Sequence, residues 1–507
     1  MLISVRRDEI YVAIKELYFR SGITNLFDVS FETHDKIVLH LAKLVIEEGF
    51  LESCETNRST KSTIKDSAVT VAALFLNSLT FFTTILKYYF IPFLFRMVVR
   101  APQKPLESSE NPAFVFLNSA GVMDRLIYII GTSFKKNEYR IYYILTQFIQ
   151  KIYERAKNDT SIRFIVPQIP DKNAIIRCLK FLFVKGPRFS SGLFKYFENH
   201  RMSERMIMVS IICQYLYSLI IYHQWALKKA YDLSSAYPNS LFVFDIDEAS
   251  KELMIADALN RLGKKTLLIQ HGILIDPKQY IPTCKYMVCA SERERQSLIS
   301  EGIEAKRLFA VGQSLQTIKD SKFSEVKKTV TYPLLILASN GPHWLQRLYV
   351  DMLKHSKILK QFERLDMRPH PAFSTTEKKL WSIDRRFKYT DMSESLGKCI
   401  AKSHLVISFS IDALTVAVRQ GCPTIVCIPE KFFAPEWHNF LDSIPMVRVA
   451  KTPQMLDAIL ADTDFKSSRK QDFSELQWKY VDFAFGELNT KTNLTSLMRQ
   501  LAAEIEK

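Results

Sequence analysis

None of the eight cysteines in this 507-residue chain stands in a CxxC pair, which argues against a zinc site. A disulfide framework is equally unsupported, because several of these cysteines lie in apolar runs such as IVCIPE, so buried thiols in a reducing cytosol are expected. The N-terminus lacks an export signal: MLISVRRDEIYVAIKELYF puts charges where a signal peptide needs its apolar core, and the expected location is cytoplasmic. No short internal repeat and no low-complexity tract is present. Helix-turn-helix, zinc and RNA-binding aromatic motifs are missing as well, so a nucleic-acid partner would rest on charge alone and is not expected. Hydrophobic residues at 47% and charged residues at 24% exclude a disordered or fibrous chain.

What is present starts with charge. Lysine and arginine outnumber aspartate and glutamate by 69 to 53, and the net +16 favours something anionic: a phosphorylated ligand, an anionic membrane leaflet or a nucleic acid. Residues 67–86, SAVTVAALFLNSLTFFTTIL, carry no charge and have about the length of a membrane span. Seven Ser, Thr and Asn residues dilute that run and Pro92 follows it, so a buried or surface-dipping helical hairpin is expected, with a span as the alternative. The stretch Arg177 to Phe197 mixes aromatics with five positive charges and suits an anionic membrane surface, or else a solvated helix face.

Length calls for more than one core. Helical spacing at Ile37, Leu41, Leu44 and Val45 marks a helical N-terminal segment over 1–66, and the apolar segment occupies 67–104. From 113 the pattern becomes short β-branched runs between helical stretches: AFVFL, RFIV, LFVF, TLLIQ, KYMVCA and LFAVG. A polar, lysine-rich connection at 314–331 ends that series, and a second begins with PLLILAS, RLDMRPHP, HLVISFS and PTIVCIP. Continuous apolar strands alternating with helices build parallel sheets covered on both faces. The expected fold class is therefore α/β, with two Rossmann-like domains facing across a cleft, 105–325 and 326–507.

Ligands of open parallel sheets sit beyond the carboxyl ends of strands, so the polar residues there are the candidates. In RPHP, two prolines restrict the backbone around His370, which with Arg368 and Pro371 suits a phosphate, although a rigid turn would look the same. Ser408, Ser410 and Asp412 stand where a helix begins; they cap it or leave its amides to an anion, and Gly421 is the expected helix stop. Ser339, Asn340 and Gly341 form a tight turn after another strand. In the first half, Gln270, His271 and Gly272 follow a strand, and Asp245, Asp247 and Glu248 follow its neighbour in sequence. A carboxylate there could take a proton from an attacking hydroxyl, or could simply cap a helix. No DxD motif stands on a donor-site loop of the second half, and the DID at Asp245 lies in the first, so no metal and no cofactor is expected.

In order, QHG, then SERERQSLISEGIEAKRLFAVGQS, then RPHP, then a serine-bearing strand end with GCP resemble bacterial surface-polysaccharide glycosyltransferases of the GT-B fold. The pattern is similar to polysialyltransferases, Kdo transferases and CDP-glycerol glycerophosphotransferases, over residues 241–429. The resemblance implies a glycosyltransferase that uses a CMP- or CDP-linked sugar to build capsule or lipopolysaccharide. It implies that His370 and Ser410 bind the donor phosphate with help from Arg368, and that Asp245, Asp247 or Glu248 is the general base, with His271 beside it. The implied partners are a lipid-linked or oligosaccharide acceptor and the inner face of the cytoplasmic membrane. This chain departs from the pattern in lacking an acidic-acidic-glycine motif, and Val416 stands where many nucleotide-sugar enzymes carry a ribose-binding glutamate. The rival reading is a nucleotide-sugar epimerase or hydrolase on the same double-Rossmann plan.

Overall fold

The structure is a computed structural model. It describes residues 2–21, 23, 33–34, 36–38, 41–42, 78–81, 113–118, 140–145, 162–164, 172–196, 202–244, 250–269, 282–312, 332–338, 343–370, 375–382, 384–409, 411–428, 440–444, 446–467, 474–486 and 490–504.

After α1 (Leu2–Arg20), the first domain runs β1 (Ala113–Asn118), β2 (Arg140–Leu145), β3 (Ile162–Phe164), α2 (Lys172–Lys180), a π turn (Phe181–Lys185), α3 (Gly186–Tyr196) and α4 (Met202–Ala236). It continues with β4 (Ser240–Phe244), α5 (Ser250–Arg261), β5 (Lys265–Ile269), β6 (Tyr286–Cys289), α6 (Glu292–Ser300) and β7 (Leu308–Ala310). The second domain holds β8 (Tyr332–Leu337), α7 (His343–His355), β9 (Leu365–Arg368), α8 (Thr375–Trp381), β10 (Phe387–Tyr389), α9 (Leu396–Ala401), β11 (Ser403–Ser408), α10 (Ile411–Arg419), β12 (Thr424–Cys427) and β13 (Val447–Ala450). The chain then runs through α11 (Pro453–Ala461), α12 (Thr463–Ser467), α13 (Glu475–Phe485) and α14 (Thr490–Ala503).

Among the described residues, all strand pairs are parallel. The first sheet has the order β3-β2-β1-β4-β5-β6-β7 and the second β10-β9-β8-β11-β12-β13. Relabelled from their own first strands, both contain the doubly wound order 3-2-1-4-5-6, in which strand order reverses at one point. The architecture is thus two Rossmann-like domains in a GT-B-like plan. Three strands go beyond those read from the sequence: β2, β10 and β13.

Burial explains the apolar runs. In the second sheet, Leu334, Ile336, Leu365, Met367, Leu405 and Ile407 pack with α7, α8 and α11, including the fully buried Trp381. The alternate residues Leu335, Leu337 and Val406 face α9 and α10 on the other side. Each such large side chain taken out of water contributes about 1.5–3 kcal/mol, so neither face can be left uncovered. In the first domain, Val115, Leu117, Phe242, Phe244 and Leu268 join one core with α4, α5 and the N-terminal residues Ile14, Tyr18, Ile37 and Leu41. The expected N-terminal helical segment is therefore part of the first core. The seven described cysteines are buried free thiols.

Of the apolar segment, only residues 78–81 fall within the described residues. They form a helical turn against α4, with Thr80 bonded to Ser210 at 3.0 Å and Phe81 against Tyr217 at 5.6 Å between ring centroids. Among the described residues, no helix is long and apolar enough to cross a membrane.

The C-terminal helices join the domains. α13 fills the core between α10 and β12 with Val481, Ala484 and Phe485, and also packs on α6 of the first domain. α14 lies against β4; Asn493 Nδ2 donates to Val311 O at 3.1 Å and Lys265 pairs with Glu504 at 3.1 Å. Residues 490–504, grouped with the second domain by sequence, thus rest on the first.

Candidate functional site

In the second sheet the strand order reverses between β8 and β11. The crevice at such a reversal is where doubly wound sheets take ligands, because loops from the two strands diverge to opposite faces there. Register carries the ladder right to this edge: Phe409 N donates to Leu337 O at 3.1 Å and Ala338 N donates to Arg368 O at 3.1 Å. The carboxyl ends of β9, β8 and β11 therefore stand in one row, bearing Arg368 to His370, Ala338, and Ser408 to Phe409 respectively. With β8 between them, the β9 and β11 backbones are two strand spacings, roughly 10 Å, apart.

Pro369 is buried and His370 half-buried beyond the end of β9. Ser408 is fully buried on β11, and Phe409 after it stacks on Tyr349 at 4.2 Å and meets Trp381 at 6.0 Å. That aromatic wedge fixes the exit of β11 into α10. α10 itself closes on Gly421, as expected from the sequence: φ is +68°, Gly421 N donates to Val418 O at 2.9 Å and Cys422 N to Ala417 O at 3.0 Å. This is the left-handed stop that glycine adopts without steric cost. Because α10 begins just after β11 ends, its N-terminal end lies at the carboxyl edge of the sheet. Asp412 lies in the first turn of that helix.

Arg368 has a use that the sequence did not show. Nη1 donates to Asp391 O at 3.2 Å and to Cys399 Sγ at 3.2 Å, and Nη2 donates to Glu394 O at 2.6 Å. The guanidinium braces the turn that leads from β10 into α9. Beside it, the Cys399 thiol is pushed up to about 11 by burial, against the pull of Arg368. Burial would raise the Glu394 carboxyl, but hydrogen bonds from Lys402 and Cys399 and the nearby cations outweigh it and hold the carboxyl below its usual range. Asp391 is held low by Ser393, whose hydroxyl and amide donate to it at 2.6 and 2.8 Å. This is a built turn, and Arg368 is one of its struts.

Val416 is 2% exposed and packs with Leu335, Leu337, Ala413 and Ala417. This turn of α10 faces the sheet, so no polar group from position 416 meets a ligand.

In the first sheet the reversal falls between β1 and β4. Leu117 and Phe244 are register partners, so the two strands reach the carboxyl edge together. Asp245, Asp247 and Glu248 follow β4 directly, and Gln270, His271 and Gly272 follow the adjacent β5; all six lie outside the described residues, as do Ser339, Asn340, Gly341, Pro371 and Ser410. Asn118 was passed over in the sequence, although it ends β1 at this same reversal; the signal that would have found it is strand order, which no local pattern carries. Among the described residues, no three His, Cys, Asp or Glu side chains gather as a metal ion would require.

Comparison with models of protein families gives no match, and comparison with curated protein sequences gives none either. Solved structures do match. The chain is similar to UDP-GlcNAc 2-epimerase from Methanocaldococcus jannaschii at 14% identity, covering 77% of this chain and 99% of that one with a TM-score of 0.45. It is similar to UDP-GlcNAc 2-epimerase from Neisseria meningitidis bound to UDP-GlcNAc at 11% identity, covering 78% and 100% with a TM-score of 0.44. The S. aureus MnaA–UDP co-structure matches at 8% identity, covering 78% and 98% with a TM-score of 0.48. At these identities the likeness is one of fold.

Proposed function

We propose that this chain is an enzyme that cleaves a nucleotide-activated sugar at its anomeric carbon, with the nucleotide held at the carboxyl edge of the second sheet. The observation that carries this reading is the row at the β8/β11 reversal: His370 beyond β9 on one side, the β11 exit into α10 on the other, and the end of β8 between them. In this reading the His370 imidazole and the Ser410 hydroxyl bind the phosphate from the two sides of that row. As the sugar–phosphate bond breaks, negative charge grows on the leaving phosphate. His370, Ser410 and the α10 amides then stabilise the transition state more than the ground state. Arg368 serves by holding its neighbouring turn. The scheme draws its charge stabilisation from these groups and needs no divalent cation or cofactor.

Two reactions begin with this step. In an epimerase or hydrolase the nucleoside diphosphate leaves with no acceptor present; the UDP-GlcNAc 2-epimerase titles of the structures with this fold bring that reaction forward. In glycosyl transfer, one of Asp245, Asp247 and Glu248 or His271 takes the proton of an acceptor hydroxyl, as the order of motifs from QHG to GCP implies. The acceptor would be a lipid-linked or oligosaccharide chain of a surface polysaccharide, on the cytoplasmic side of the membrane.

Thermal shift with CMP, CDP, UDP and GDP tests the common step. A nucleotide at one hundred times its Kd stabilises by about 2.7 kcal/mol, which for a chain of this size is about 2–3 °C. One of the four should give that shift in EDTA, and His370→Ala should abolish it; no shift with any nucleotide would overturn the reading. The matching nucleotide-sugars, incubated without acceptor, then separate the two reactions. Nucleotide release or an epimerised sugar marks the first, and release that waits for an oligosaccharide marks the second.

A further inference from the structure

We propose that the outer face of α2, the π turn and α3, centred on Phe183, is a docking surface for an anionic lipid bilayer. Within it Ile176 is 60% exposed, Phe183 67% and Val184 53%, with Leu179 and Tyr196 also exposed. These are large apolar side chains on a structured helix whose opposite side is full: Cys178, Phe181, Leu182, Phe189, Leu193 and Phe194 are buried, and Phe181 meets Tyr217 of α4 edge-on at 4.9 Å. The core therefore does not need the exposed set. Spacing places that set in one stripe, because 176, 179–180, 183–184 and 187–188 recur every three to four residues. The π turn contributes the two consecutive outward side chains Phe183 and Val184.

Charge says what covers the stripe. Residues 172–196 contain Lys172, Arg177, Lys180, Lys185, Arg188 and Lys195 and no aspartate or glutamate. Lys180 and Arg188 are exposed within the stripe, and their aliphatic stems let apolar neighbours sink while the charge stays at the headgroup level. A second copy of this chain fits poorly, since a two-fold contact would bring these cations against the same cations with no acid to answer them. A nucleic acid fits less well, because three of the five exposed side chains, Ile176, Leu179 and Val184, offer no stacking plane. Residues 78–81 of the uncharged run come to the same place: Phe81 and Phe181 both pack on Tyr217, and Leu79, two residues before Phe81, is 50% exposed. This inference goes beyond the proposed reaction and does not rest on it.

Flotation of the full chain with vesicles tests it, using phosphatidylcholine alone and phosphatidylcholine mixed with phosphatidylglycerol. The chain should float with the mixed vesicles, not with the neutral ones, and less as salt is raised. Each cation near an anionic surface multiplies binding about fivefold. Lys180→Glu and Arg188→Glu should each therefore lower the membrane partition constant, read from a lipid titration, at least fivefold, and Phe183→Asp should do the same by removing the apolar anchor. Unfolding temperatures should stay at the parent value, because all three side chains are exposed. The proposal fails if the chain floats with neither vesicle or equally with both, or if the variants bind like the parent. It also fails if light scattering shows a dimer that Phe183→Asp dissociates, since the face would then belong to a second copy.

Discussion

Gly486 follows α13 with φ +87° and ψ 152°, a backbone that a β-carbon resists. Space forbids one too: a Cβ would lie 1.8 Å from Ala290 O and 3.1 Å from Gly312 Cα, both backbone atoms of the first domain. Gly486→Ala should therefore cost about 2–4 kcal/mol of unfolding free energy, combining backbone strain with a forced separation. Gly263→Ala is the control, with φ +74° and nothing within 4 Å of the new carbon; it should cost about 1–2 kcal/mol, the strain alone. Urea unfolding of the two variants compares these outcomes. Single residues were legible in the sequence where their own chemistry sets the backbone, as at Pro369 and at Gly421. Gly486 was not legible, because its constraint is imposed by a strand end in the other domain. Arg368 reads as a ligand residue beside His370, yet its partners Asp391, Glu394 and Cys399 stand 23, 26 and 31 residues further on. Only the packed sheet brings them to it.

Among elements, the strands recognised in the sequence were chiefly those buried on both faces, such as SLFVF in β4, which has no exposed position. Two of the missed strands are edges of the second sheet. β13 buries Val447 and Val449 but exposes Arg448, and β10 buries Phe387 alone of its three residues. β10 is placed by the turn before it, where Arg386 Nη2 pairs with Asp384 Oδ2 at 2.6 Å and Arg386 Nη1 donates to Leu359 O at 2.6 Å. The hydrogen bond from Arg386 holds the Asp384 carboxyl below the usual aspartate range, against a smaller opposing effect of burial. A carboxyl depressed on folding stabilises fully above its unfolded pKa, about 3.9, and loses that contribution as pH falls through the lower folded value. The unfolding temperature should thus fall as acid is added below about pH 4. Asp384→Asn should be less stable than the parent above that pH and should converge on it below, as scanning calorimetry across the acid range would record.

At the scale of the whole molecule, the order of motifs gave two domains, but not how the last helices tie them together. α13 completes the core of the second domain while touching α6, and α14 lies on β4 of the first. Arg293 of α6 sits over the Phe440 ring at 4.2 Å, a cation–π contact between the domains. Arg419 is the second brace. It is 6% exposed at the end of α10, pairs with Asp482 of α13 at 2.6 Å, and donates from Nη2 to Gly486 O at 2.7 Å. It therefore holds the segment at Gly486 whose backbone abuts Ala290. Truncating this buried cation strands its carbonyl, while its carboxylate partner, 40% exposed, turns to water, at a cost of about 1–3 kcal/mol. If this junction makes the two cores unfold together, the parent chain should show a single calorimetric transition, and Arg419→Ala should resolve it into two. Added nucleotide should raise the single transition of the parent. In Arg419→Ala it should raise only the transition of the domain that carries His370, because the brace that holds Gly486 against the first domain is the contact removed. A parent already showing two transitions, or a variant still showing one, would mean that the helices rest on the first domain without coupling it to the second.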